Sequence, residues 1–127
     1  MVTIPVSWGE LFDKITILEI KRDRIEDAAK LANISRELDA LRQVCESSRL
    51  PGQTLDDLVG ELRSVNEALW DIEDDIRACE RGGDFSERFI ELARSVYKTN
   101  DRRAELKYQI NRLLGSELVE EKSYEAY

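Results

Sequence analysis

The sequence predicts an all-α protein: an antiparallel three-helix, coiled-coil-like bundle with a long first helix and a short extended N-terminal arm. Three observations predict it. Charged residues make up 36% of the chain and aromatics 7%, with six Gly and two Pro in 127 residues, a balance that suits helices better than sheets. Apolar residues recur at steps of three and four over long stretches. Glycines fall where two of those stretches end, at Gly82-Gly83 and Gly115. The length is that of one domain, residues 1–127, large enough for a core of its own.

Residues 1–6, MVTIPV, are β-branched around Pro5 and read as the extended arm. SWGE then offers a capping box, with Ser7 as N-cap and Glu10 three residues on. Helix A follows from Glu10 to Leu50 without Gly or Pro, a rod of roughly 60 Å at the helical rise. Its seam begins Leu11, Ile15, Leu18, Ile25, with Arg22 intruding, and resumes one position out of step as Leu31, Ile34, Leu38, Leu41, Cys45. Such a slip marks either one long, bent helix that changes partner or a turn within EDAAKLAN. The reading adopted is the single helix. Phe12, Ile17 and Ile20 lie off the first seam line, and a helix apolar on several sides wants several neighbours. The expectation is therefore a homodimer through this half, its rival an N-terminal arm that covers the second face.

LPGQT reads as a loop, with Thr54 and Asp57 capping helix B. That helix has the cleanest pattern in the chain, Leu55, Leu58, Leu62, Val65, Leu69, Ile72, Ile76, Cys79, alternating steps of three and four. Gly82-Gly83 ends it. Asp84 and Glu87 suggest another capping box, and helix C runs from Phe85 to about Leu114. Its seam is Phe89, Leu92, Val96, Thr99, Arg103, Leu106, Ile110, Leu113, polar in the middle. The tail SELVEEKSYEAY carries Tyr124 and Tyr127, both able to dock on the bundle.

Charge narrows the function classes. The net charge is −8, and ten acidic against three basic residues place nearly all of the excess in 51–84. An acidic chain without a basic stripe is a poor binder of nucleic acid or of an anionic membrane. Histidine is absent, which removes Ser-His and Cys-His nucleophile pairs and histidine metal ligands. The N-terminus has no signal-peptide pattern and no stretch is apolar for 18 residues; the expected location is the cytoplasm. Cys45 and Cys79 fall at opposite ends of the bundle and read as reduced thiols rather than a disulfide.

Two constellations could carry chemistry. Asn100, Arg103, Lys107 and Asn111 lie three or four residues apart on one stripe of helix C. On helix B, Asn66 and Glu73 flank the seam, with Trp70 and Arg77 just beyond. The leading reading is a buried polar network that fixes register, with Glu73 as the carboxylate for Arg103. The alternative is a pocket for a phosphate or sugar nucleotide, walled by Trp70, Tyr97 or Tyr108. The second constellation is the carboxylates Glu19, Asp23, Glu26, Asp27 and Glu67, Asp71, Asp74, Asp75, spaced identically. Facing carboxylates are what a magnesium-dependent nucleotide pyrophosphohydrolase needs. The seam phase, however, sets Glu67, Asp71 and Asp74 on the back of helix B, a solvated acidic face open to a basic protein partner. No metal site, cofactor or catalytic residue is assigned. The leading function is a non-catalytic assembly or adaptor module.

The blocks IPVSWGELFDKITILEIK, LWDIEDDIR, FIELARSVYKTNDRRAELKYQIN and EEKSYEAY, which span nearly the whole chain, resemble the pattern of a small bacterial domain-of-unknown-function family. The resemblance implies a self-contained cytoplasmic bacterial unit with a loose link to surface-polysaccharide or sugar metabolism. It supplies no catalytic residues.

Overall fold

The computed structural model describes residues 1–123 and 125–127. It is all-α, with four helices rather than three: α1 Trp8–Arg24, α2 Ala28–Glu46, α3 Gln53–Gly82 and α4 Glu87–Leu114. The expected long first helix is two helices. Ile25 takes an extended conformation at φ −89°, ψ 135°, and the Asp27 carboxylate accepts the Lys30 N–H at 2.9 Å to start the next helix. The slip of apolar phase between Ile25 and Leu31 is the trace of this break. A chain that reverses direction there has no reason to keep one seam.

The break puts α1 at the centre of the fold. It neighbours α2 on one side and both α3 and α4 on the other, which is why its sequence is apolar around most of its circumference. Of the residues off the first seam line, Phe12 and Ile20 are buried and Ile17 is half-buried within the single chain, so most of the second face of α1 is covered by the chain itself. The N-terminal arm does not supply that cover, since residues 1–6 are exposed. The core gathers Leu11, Phe12, Ile15 and Leu18 of α1, Ile34 and Leu38 of α2, Leu55 and Leu62 of α3, and Leu106 and Ile110 of α4. Cys45 and Cys79 are free thiols.

α3 and α4 form a hairpin turned at Gly83, whose φ of +66° is a left-handed conformation that glycine adopts without a Cβ penalty. Gly115 ends α4 in the same way at φ +64°. Two expected caps differ. α3 begins at Gln53 after Gly52, so Thr54 lies inside the helix instead of capping it. α4 begins at Glu87 after Ser86, while Asp84 accepts the Ser86 N–H at 3.0 Å in the turn.

The start of α1 is held from a distance. Its first amide groups have no intrahelical acceptor, and three different side chains take them. Ser7 accepts from Glu10 at 3.1 Å, Asn111 of α4 accepts from Gly9 at 2.7 Å, and Ser116 accepts from Trp8 at 3.0 Å. Only the first half of the expected capping box forms, because Glu10 is drawn away to Lys107.

Candidate functional site

The polar stripe of α4 faces α1, and its centre is a residue the sequence reading missed. Asp13, on the second turn of α1, is 1% exposed. Its two oxygens accept a bidentate pair from Arg103, Nε to Oδ1 at 2.9 Å and Nη2 to Oδ2 in a shorter bond. Asn66 of α3 donates to the same Oδ1 at 3.0 Å and to the Thr16 hydroxyl at 3.0 Å, while that hydroxyl donates to the Asp13 carbonyl. Three helices therefore meet at one buried carboxylate.

Arg103 thus finds its carboxylate on α1, and the expected partner Glu73 is elsewhere. Glu73 accepts from Arg77 one turn along α3 at 3.5 Å, both side chains exposed. Glu73 and Arg77 lie apart from the cluster that holds Asn100, Arg103, Lys107 and Asn111. Asn100 accepts a long bond from Arg103 at 3.5 Å, and Asn111 fixes the α1 amide of Gly9 and the Ser116 hydroxyl.

Lys107 is buried, yet it is surrounded by acid: Glu10 at 2.8 Å, Glu120 at 2.9 Å and Asp13 at 3.9 Å. Burial works against the ammonium, but the hydrogen bonds to Glu10 and Glu120 and the Asp13 charge outweigh it and hold its pKa above the ordinary value. The Arg103 guanidinium is likewise raised, chiefly by its bonds to Asp13. Both cations stay charged across the physiological range. Among the described residues, every buried side-chain nitrogen and oxygen has a partner.

The tail after Gly115 folds back over this cluster. Glu120 reaches Lys107, Lys122 reaches Asp101, and the Tyr127 ring lies 5.1 Å from that of Tyr97. Between tail and helix is an open cavity of about 1260 Å³ lined by Tyr97, Asn100, Arg103 and Lys107, among others. Of the three expected stacking residues only Tyr97 lines it; Trp70 lies beneath Arg24 and Tyr108 beneath Arg112. Tyr124 lies outside the described residues.

Lys107 pulls the Glu120 carboxyl below its ordinary value of 4.5, through their hydrogen bond first and its charge second. A depressed folded pKa means the contact contributes fully above that ordinary value and is lost as pH falls through the lower folded one. Acidification is expected to release the tail with a midpoint below 4.5, read from the amide resonances of residues 117–123. In Glu120→Gln only the part of the transition carried by the Lys122 bond to Asp101, whose carboxyl that bond also lowers, should remain.

The carboxylate sets of the two helices do not converge on a metal. Glu19 pairs with Arg42, Asp23 and Glu67 with Arg63, Asp71 with Arg24, and Asp27 caps α2. Glu67 and Asp71 are thus tied to arginines near α1 rather than standing on a bare back face. No group of three or more Asp, Glu, Cys or His among the described residues has metal-binding geometry. Among the described residues, no helix is long and apolar enough to cross a membrane.

Searches of curated proteins and of solved structures return no significant match. A family model, described as a family of unknown function, covers residues 2–127. The SWGEL and YKTNDRRA blocks that supply Gly9, Glu10, Asn100 and Arg103 lie within that match. On this coverage, the chain belongs to the DUF6165 family.

Proposed function

We propose that the protein is a non-catalytic helical assembly module. The observation that carries this reading is the cis-neutralised cluster: Asp13, Arg103, Asn66, Lys107, Glu10 and Glu120 satisfy one another within the chain. Ions arranged in this way fasten α1 and the tail to the α3/α4 hairpin and set their register, a use for which buried ion pairs are best attested. The cluster's two cations, Arg103 and Lys107, are pushed away from the near-neutral range in which a side chain transfers protons. The far half of the hairpin, by contrast, leaves Phe85, Ile90 and Tyr97 exposed, and this is the surface the module offers.

A second reading is supported by the tail cavity. Glu120 places a carboxylate on Lys107 from a largely exposed side chain, and a phosphate or sugar-nucleotide anion could take the same place. One experiment separates the two. In a thermal-shift series with inorganic phosphate, pyrophosphate and a sugar nucleotide at millimolar concentration, the assembly reading expects an unchanged Tm. A rise that disappears in Lys107→Met would overturn it in favour of a ligand site.

A further inference from the structure

α1 covers only part of the hairpin it packs on. Its 17 residues span about 25 Å, against about 45 Å for the 30 residues of α3. It ends at Arg24, which pairs with Asp71 and lies over Trp70, and there the chain turns away into α2. Beyond that level the place of a third helix against α3 and α4 is vacated.

The residues that face this place follow from the covered half by helical spacing. On α3, Asn66 faces Asp13; one heptad on is Glu73, with Arg77 one turn further. On α4, Lys107, which bonds Glu10 of α1, projects back through Asn100 to Ala93, with Tyr97 and Ile90 beside that line toward the tail. Ile90 and Tyr97 are 54% and 43% exposed, and the seam residues Ile72, Ile76, Leu92 and Val96 beneath are only half-buried. Tyr127 borders the face from the tail side.

We propose that the occupant is a second copy of this chain, whose uncovered hairpin half packs antiparallel on this one about a two-fold axis through Ala93. This rests on the assembly reading above and names its partner. An isologous interface must be self-complementary, and the pattern is. Asn66 and Arg103 meet at Asp13, which sets position 75 of α3 roughly level with Ala93 of α4. A perpendicular two-fold at that level brings Glu73 of each copy to Arg77 of the other. It also brings Ile90 of each copy to Tyr97 of the other and sets Ala93 on Ala93, where a small side chain permits close approach. Glu73 and Arg77 are joined within α3 only by a 3.5 Å contact between exposed groups, so both are available to exchange partners.

The test uses sedimentation equilibrium on the full chain, with circular dichroism to confirm helicity of each variant. The wild type is expected at twice 14.7 kDa, and Ala93→Glu at the monomer mass. Glu73→Arg alone and Arg77→Glu alone should each weaken the dimer about tenfold or more through like-charge contacts. The double exchange Glu73→Arg/Arg77→Glu should return it to near wild-type strength. A monomeric wild type, a dimer indifferent to Ala93→Glu, or failure of the double exchange to restore association would each overturn the proposal. None of these touches the thermal-shift result, so the assembly reading stands or falls separately.

Discussion

Asp13→Ala is expected to lower stability by about 3–5 kcal/mol, the usual cost of removing one partner from a buried ion pair. The reason is what it leaves behind. Arg103 loses both acceptors of its bidentate bond, Asn66 loses one of two, and Lys107 loses its nearest buried negative charge. A domain of this size has about 5–15 kcal/mol in all, so the variant should stand near the edge of folding. Urea unfolding checks it: the midpoint should fall with little change in slope. The double variant Asp13→Leu/Arg103→Met should be more stable than Asp13→Ala, because it removes the stranded guanidinium along with its partner. A loss under about 1 kcal/mol for Asp13→Ala, the scale of an exposed pair, would show that the cluster does not hold the helices together.

The helices were legible because they rest on local information. Steps of three and four locate α3 and α4 to within a few residues, and the slip after Ile25 carries the break between α1 and α2, though a slip alone reads equally as one bent rod. The stripe on α4 was legible as well, since helical spacing alone brings Asn100, Arg103, Lys107 and Asn111 together. Its partner was not. Arg103 and Asp13 are 90 positions apart, and nothing in a single sequence says which of many carboxylates a guanidinium will meet. Glu73 is the sequence's best local guess on the neighbouring helix, but the α3 residue level with Arg103 is Asn66, a heptad earlier, and Asp13 of α1 claims the site. One signal pointed to Asp13. In LFDKITIL a helix apolar on several faces has little wet circumference left, so its lone acid must turn toward protein. The several neighbours that α1 calls for are a matter of the same kind: α2 supplies one of them, because the chain turns back at Ile25–Asp27.

Gly9→Ala is the second large effect expected, about 1–3 kcal/mol, the range for forcing extra volume into a filled contact. In the sequence Gly9 looks like part of a turn before a helix, and its value as a residue type is hidden there. In the fold it is the point where α1 and α4 touch backbone to backbone. A Cβ at Gly9 would stand 2.5 Å from the Lys107 carbonyl oxygen and 2.9 Å from Asn111 Oδ1. The first is helix backbone and cannot swing aside; the second is already fixed by the Gly9 and Ser116 donors. Relief therefore requires α1 to lift from α4, and that lift is transmitted along the helix to Glu10 and Asp13, whose bonds to Lys107 and Arg103 must lengthen. Gly60 provides the control within the same molecule, since an added Cβ there meets nothing within 4 Å, and Gly60→Ala in the interior of α3 should gain a few tenths to about 1 kcal/mol from helix propensity. Opposite signs for two identical substitutions, measured by the same urea titration, would isolate the close approach as the cause. Equal stabilisation by both would mean that α1 does not sit where Asn111 and Lys107 are required to hold it.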